Sequence, residues 1–115
     1  MKDRIYWNDG ARWRADDATF AAFVRQLDAA RDVIVGLDAI ADRLPRRAAA
    51  GAVCIDEVAA NEGERAVLTA ALLRCVDDAE AAGPEALGLE GVEAYARYLD
   101  AVRALRDLVQ TDVTW

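Results

Sequence analysis

The sequence contains no histidine and no serine, and Lys2 is its only lysine. Without histidine the chain cannot build Ser-His-Asp or Cys-His nucleophilic sites, His-ligated zinc, or the Glu-x-x-His ligands of di-iron bundles. Neither common Gly-rich phosphate-binding motif occurs. A catalytic site would have to consist of carboxylates, arginine, tyrosine, threonine or cysteine. These absences favour a protein that is not an enzyme and needs no cofactor.

The chain has 115 residues, 55% hydrophobic and 30% charged, which predicts a single domain over residues 1–115 with a buried core. Alanine, the best helix former, is the commonest residue, so we expect a mainly α-helical protein. No run approaches 18 apolar residues and the amino terminus is polar, which predicts a cytoplasmic protein without membrane contact. Cys54 and Cys75 lie in apolar surroundings and are expected to be reduced core thiols.

Residues 1–15 predict a β-hairpin arm, because Asp9-Gly10 is typical of a two-residue type I′ turn. Two facing pairs follow from such a turn: Tyr6 with Trp13, and Trp7 with Arg12. The tail at 111–115 is rich in β-branched residues, and we expect it to supply a third strand.

Residues 16–110 predict a small antiparallel bundle of about four helices, at roughly 17–44, 46–60, 64–82 and 90–110. Along the first predicted helix, apolar residues alternate spacings of three and four without a break: Phe20, Phe23, Leu27, Ala30, Ile34, Leu37, Ala41 and Leu44. We expect this helix to bend near Gly36 and to end at Leu44-Pro45. Gly63 is interpreted as the stop of the second helix.

The last two predicted helices have their own apolar faces. The third packs inward through Leu68, Leu72, Cys75, Val76 and Ala79, and the fourth through Val92, Tyr95, Leu99, Val102, Leu105 and Val109.

Charge is distributed unevenly along the chain. Residues 1–47 carry nine positive and eight negative side chains, residues 48–93 carry two and ten, and residues 94–115 carry three of each. The whole net charge of −7 therefore comes from the middle segment. A concentrated negative surface speeds association with a basic partner.

From this asymmetry the sequence predicts a small acidic inhibitor that binds a basic protein: an immunity protein, an antitoxin without a DNA-binding arm, or a nucleic-acid mimic. We expect no direct binding of nucleic acid, because an acidic chain repels phosphates. The expected contact residues form an acidic face: Asp56, Glu57, Glu62, Glu64, Asp77, Asp78 and Glu80. A competing aromatic set comes from the chain ends: Tyr6, Trp7, Trp13 and Trp115. The alternative role for these aromatics is to staple the ends to the bundle.

Two other classes of function stay open. The first predicted helix has apolar residues in addition to those of its main stripe, and a second apolar face favours a homodimer or larger homo-oligomer through this helix. These additional residues are Val24, Val33, Val35 and Ile40. A magnesium-dependent nucleotide pyrophosphohydrolase would need carboxylate pairs at helical spacing. The candidate pairs are Asp28/Asp32, Asp38/Asp42, Asp77/Glu80 and Glu90/Glu93. Most of these acids point away from the predicted core, so we predict no metal site. The arginines at 43, 46 and 47 are expected to form ordinary surface ion pairs.

Overall fold

The computed structural model describes residues 2–111. Its elements, in chain order, are β1 (Lys2–Tyr6), β2 (Arg12–Ala15), α1 (Asp17–Ala30), α2 (Leu37–Ala48), β3 (Val53–Cys54), α3 (Ile55–Val58), α4 (Glu62–Ala82) and α5 (Gly91–Thr111). The described chain is mostly helical with a small three-stranded sheet, which confirms the fold class at this level. None of the helices within residues 2–111 is long and apolar enough to traverse a lipid bilayer.

The amino-terminal hairpin forms as expected, but the predicted register is wrong. β1 and β2 are antiparallel, with Ile5 opposite Trp13 and Tyr6 opposite Arg12. The guanidinium of Arg12 accordingly lies 5.9 Å from the centre of the Tyr6 ring. The predicted contacts of Tyr6 with Trp13 and of Trp7 with Arg12 across the ladder do not form.

The hairpin loop explains this difference in register. The backbone N–H of Gly10 donates to the Trp7 carbonyl at 3.1 Å, and the N–H of Trp7 donates to the Ala11 carbonyl at 2.9 Å. Gly10 has a φ of +97°. A tight turn followed by a left-handed residue makes a three-residue loop with a bulge, and the one additional loop residue shifts every facing pair.

The third strand of the sheet comes from the middle of the chain. β3 pairs parallel with β1, and the strand order is β2-β1-β3. The tail prediction concerned residues 111–115, of which Thr111 belongs to α5 and residues 112–115 lie outside the described part of the chain.

The first predicted helix is divided in two, so the expectation of one continuous helix is wrong. α1 ends at Ala30 and α2 begins at Leu37, with turns between them. Gly36 has a φ of +89°, which no helix accommodates, and a β-carbon there would lie 3.3 Å from Cγ2 of Val67. The predicted apolar stripe is nevertheless buried or half-buried throughout. Its spacing identified the inward side chains without requiring an unbroken helix.

The predicted end at Leu44-Pro45 and the second predicted helix are also wrong. α2 contains Pro45 and continues to Ala48. Pro45 has no N–H to donate to the carbonyl one turn earlier, and the helix ends three residues after it. Residues 46–60 otherwise contain turns, β3 and the single turn of α3. Asn61 starts α4 rather than ending a helix, since its Oδ1 accepts the N–H of Glu64 at 2.9 Å. Gly63 therefore lies inside the first turn of α4.

The last two predicted helices are confirmed as α4 and α5, within two residues at each end. All five residues of the predicted inward face of α4 are buried. On α5, Val102, Leu105 and Val109 are buried, but Val92 is 77% exposed and was wrongly placed inward. Val92 lies in the first turn of α5, beside the exposed connection from α4.

Aromatic side chains tie the hairpin to the helices. The ring of Trp13 meets that of Phe23 edge-on at 5.4 Å, and its Nε1 donates to the Ala101 carbonyl at 2.8 Å. The prediction missed Tyr98, which is fully buried and whose hydroxyl donates to Oε1 of Gln26. A tyrosine ring can occupy a core once its hydroxyl has such a partner.

Candidate partner-binding surface

Residues 75–93, hereafter the acidic segment, contain six acids and no basic residue. The segment covers the carboxyl-terminal part of α4, the connection to α5 and the first turn of α5. All six carboxylates belong to exposed residues: Asp77, Asp78, Glu80, Glu85, Glu90 and Glu93. The acidic segment therefore presents six exposed carboxylates from one continuous stretch of chain.

Hydrogen bonds and buried leucines hold the connection between α4 and α5 in place. The hydroxyl of Tyr95 donates to the Ala79 carbonyl at 2.6 Å, which joins the two helices. Nη2 of Arg25 donates to the Leu87 carbonyl at 2.8 Å, which joins the connection to α1. Leu87 and Leu89 are both 7% exposed. The acids thus project from a frame fixed to three helices.

Two of the six acids are engaged by arginine. Asp78 lies 3.4 Å from Arg74 one turn earlier on α4, and Glu80 lies 3.0 Å from Arg103 on α5. Within residues 2–111, no ion pair engages the remaining four: Asp77, Glu85, Glu90 and Glu93.

Three other acids predicted as contacts lie around α3 and the start of α4, where arginines partner them. Asp56 lies 4.0 Å from Arg65, and Glu57 lies 3.6 Å from Arg47. Both oxygens of Glu64 accept from Arg43, at 3.1 and 3.2 Å. These ion pairs neutralise much of the negative charge that the sequence assigns to this part of the chain.

The seven predicted contact residues lie in two groups, one on α3 and the start of α4 and one on the carboxyl-terminal part of α4. Glu62 is exposed but lies about 22 Å along α4 from Asp77, since a helix rises about 1.5 Å per residue. The predicted set does not include Glu85, Glu90 and Glu93, which continue the run of exposed acids beyond Glu80. The signal that identifies them is the complete lack of lysine and arginine between Arg74 and Arg97, rather than the number of acids.

A groove adjoins the acidic segment. It is a cavity of about 230 Å³ between α1, α4 and the connection, lined by Ala22, Arg25, Gln26, Ala29, Asp78, Ala82, Ala86 and Leu87. Its walls are mainly alanine, with Arg25 and Asp78 as charged groups. Sites for small-molecule ligands usually measure about 300–1,000 Å³. This groove is smaller than that range.

Two of the three arginines near the end of α2 make contacts within the protein: Arg43 and Arg47. Arg43, Arg46 and Arg47 line an open cavity of about 520 Å³ along one exposed side of α2. Arg43 is held by Glu64 and by the Val58 carbonyl, and Arg47 is paired with Glu57. Arg43 and Arg47 therefore form ion pairs as expected.

The predicted aromatic contact set is mostly inside the molecule. Trp7 and Trp13 are each 2% exposed, and Tyr6 is half-buried beneath the Arg12 guanidinium. Trp115 lies outside the described residues. Trp7 and Trp13 offer no exposed indole surface to a partner and instead anchor the hairpin in the core.

The carboxylate pairs considered for magnesium are distributed over separate sites. Asp28, Asp38 and Asp42 surround the guanidinium of Arg31, at 2.7, 3.8 and 2.9 Å. The hydrogen bonds that Arg31 donates to Asp42 and Asp28 raise the pKa of its guanidinium, so a positive charge occupies the centre of this cluster. Within residues 2–111, no three or more acidic or cysteine side chains are grouped so as to hold a metal ion.

The two cysteines are free thiols in different surroundings. Cys75 is buried in the core, and this burial raises the pKa of its thiol to about 12. Cys54 is half-buried at the end of β3, and its Sγ lies 3.8 Å from Oδ1 of Asn8. Burial at Cys75 agrees with the expected core thiol, whereas Cys54 lies partly at the surface.

The chain matches no known family model, no curated protein and no solved structure. What the acidic segment and the groove do must therefore be argued from their own charge, burial and contacts.

Proposed function

We propose that the protein is a small, non-enzymatic binding module whose acidic segment docks on a basic surface of another protein. The observation that carries the proposal is the set of four carboxylates outside any ion pair of the described chain, on a connection fixed to three helices. A rigid, uncompensated patch of one sign raises the local potential and steers an oppositely charged partner. No substrate chemistry is required for this role.

The class of partner follows from the same chemistry. Phosphate-rich ligands such as nucleic acids bind to lysine and arginine on basic protein surfaces, and a rigid acidic patch competes for such a surface. The protein would then act as a stoichiometric inhibitor, in the manner of an immunity protein, an antitoxin or a nucleic-acid mimic. The free thiols of Cys54 and Cys75 fit a reducing compartment, and we place the interaction in the cytoplasm.

Charge removal at the acidic segment tests the proposal. The partner is first isolated by cross-linking in the source cells and purified, and its association rate with the protein is then measured by stopped flow. We expect E90Q/E93Q to slow association by about threefold or more, because steering depends on the local field. The control variant D9N/D100N removes the same charge from exposed residues outside the segment and should leave the rate unchanged.

The proposal fails if a tight complex forms and E90Q/E93Q associates as fast as the unmodified protein. Equal slowing in E90Q/E93Q and in the control would also contradict it, because the effect would then reflect net charge rather than the acidic segment.

One observation favours a homo-oligomer as the second candidate. Of the four apolar residues in excess of one stripe, Ile40 is buried and Val24 is half-buried, but Val33 and Val35 are exposed. A second copy of the chain would cover them if this candidate is correct. Light scattering over a range of concentrations distinguishes the two, because the inhibitor role requires no self-association.

A further inference from the structure

A cavity of about 330 Å³ lies between β2, the start of α1 and the middle of α5, and is hereafter called the β2–α5 groove. Its volume falls within the range of sites for small-molecule ligands. Apolar walls come from Ala15 of β2 and from Ala101 and Ala104 of α5. Because alanine side chains are short, space remains between the strand and the helix. The groove therefore has the size and the apolar lining of a site for one small molecule.

Hydrogen bonds fix the walls of the β2–α5 groove. Nε1 of Trp13 donates to the Ala101 carbonyl at 2.8 Å, which joins β2 to α5. Oδ1 of Asp16 accepts the backbone N–H of Thr19 at 2.7 Å, which fixes the first turn of α1. A groove that is formed in advance loses little conformational freedom when a ligand binds.

Charged side chains of both signs line the groove together with the alanines: Arg14, Asp16, Arg97 and Asp100. Two of them are engaged by hydrogen bonds within the protein. Nε of Arg14 donates to Oδ1 of Asp3 at 2.8 Å. The backbone and side-chain hydrogen bonds of Thr19 lower the pKa of Asp16, so this carboxylate stays charged.

Arg97 and Asp100 are the charged groups best able to contact a ligand. Nε of Arg97 lies 3.6 Å from Oδ2 of Asp16, which is an ion pair but too long for a hydrogen bond. Among residues 2–111, no ion pair joins Asp100 to an arginine, Arg97 included. Residues three apart on a helix are neighbours on its surface, with β-carbons about 5–6 Å apart. The groove therefore offers one positive and one negative group side by side.

This pattern of charge determines the class of ligand. An anion without a positive group would meet Asp16 and Asp100, and a cation without a negative group would meet Arg14 and Arg97. A neutral apolar molecule would remove water from the charged side chains without replacing its hydrogen bonds, which is costly. A molecule that carries an ammonium and a carboxylate on the same carbon, next to an apolar side chain, satisfies both charges and the alanine walls.

We infer that the β2–α5 groove binds a free α-amino acid with an apolar side chain. Arg97 donates hydrogen bonds to the carboxylate of the ligand, and Asp100 accepts from its ammonium. The apolar side chain packs against the three alanines. This site goes beyond the proposed function and lies outside the acidic segment, so Asp100 takes no part in docking the basic protein.

Titration of the isotope-labelled protein with L-leucine, followed by NMR, tests the inference. Three analogues each lack one feature of leucine: isoamylamine has no carboxylate, isocaproate has no ammonium, and glycine has no apolar side chain. We expect L-leucine to bind about tenfold or more tightly than each analogue, because each one loses a charged or an apolar contact. The amide signals that shift should belong to residues of the groove, such as Ala15 and Ala101.

Two substitutions locate the site. A104L fills the groove with a larger side chain at an exposed position of α5 and should abolish the binding of L-leucine. A70L is the matched control, because Ala70 is exposed on α4 and does not line the groove, and it should bind L-leucine like the unmodified protein.

A third substitution tests the role of the guanidinium. R97Q should lower the affinity for L-leucine to that for isoamylamine and leave the affinity for isoamylamine unchanged, since isoamylamine has no carboxylate to lose. A general distortion of the groove would weaken both ligands.

The inference is overturned if neither L-leucine nor L-phenylalanine shifts the groove amides at millimolar concentration, or if L-leucine binds no more tightly than its analogues. Equal binding by A104L and A70L, or equal weakening of both ligands in R97Q, would also overturn it. None of these measurements involves the acidic segment, so their outcome and that of the association rates with E90Q/E93Q are independent.

Discussion

At the scale of single residues, Glu64 connects α2, α4 and the segment between α3 and α4. Its carboxylate accepts hydrogen bonds from both Nη atoms of Arg43 on α2 and from the backbone N–H of Ala60. The backbone N–H of Glu64 donates to Oδ1 of Asn61. The side chain is 23% exposed. The contacts of Arg43 and Ala60 hold the pKa of Glu64 below its ordinary value, because they stabilise the charged form.

We predict that E64Q lowers the free energy of unfolding by about 1–3 kcal/mol at neutral pH, as expected for lost hydrogen bonds to a charged group. Because the pKa is lowered in the folded state, this stabilisation is complete above the ordinary value of 4.5 and disappears as the pH falls through the folded-state pKa. Urea unfolding at neutral and acidic pH should therefore show a difference that shrinks on acidification.

The neighbouring exposed acid provides the control for this prediction. E62Q removes a charge from the same turn of α4, where no arginine contacts the side chain within the described residues, and should change stability little. A difference between E64Q and the unmodified protein that stays constant down to strongly acidic pH would contradict the role given to this carboxylate.

At the scale of elements, local signals predicted some boundaries and tertiary contacts decided the others. α4 and α5 were predictable because each has a long apolar stripe, and Gly83 marks the end of α4. The hairpin was predictable from Asp9-Gly10, but its register was not, since a two-residue and a three-residue loop share that dipeptide. β3 has only two residues and exists through pairing with β1, which no local pattern reveals.

The break between α1 and α2 is the element-scale feature with the clearest consequence. The apolar stripe continues through this break, so the sequence favoured one helix. The chain turns instead, because Gly36 has a positive φ and Arg31 pairs with both Asp28 and Asp42. This turn places Val33 and Val35 in solvent instead of on a helix face.

We predict that R31Q loosens this turn. Replacing the guanidinium removes its ion pairs with Asp28 and Asp42, which join the end of α1 to the start of α2. The amide of Ile34 should then exchange with solvent about fivefold faster, measured by hydrogen exchange and NMR. R46Q is the control, because Arg46 is exposed on α2 away from the loop. Unchanged exchange in R31Q would show that the backbone alone fixes the turn.

At the scale of the whole molecule, charge along the sequence and charge in space differ. The sequence places all excess negative charge in residues 48–93, but Arg43, Arg47 and Arg103 reach it from outside that range. Of the acids predicted as contacts, Asp77, Asp78 and Glu80 lie in the acidic segment, whereas Asp56, Glu57 and Glu64 are paired with arginines. Ion pairs between distant segments depend on the fold and cannot be read from composition.

The measurement that tests the central claim most directly is the salt dependence of the association rate with the purified partner. If the acidic segment steers binding, the rate should fall steeply as ionic strength rises towards about 0.5 M, while the dissociation rate changes little. E90Q/E93Q should show a shallower dependence than D9N/D100N. An association rate that is insensitive to salt and identical in both variants would contradict the account.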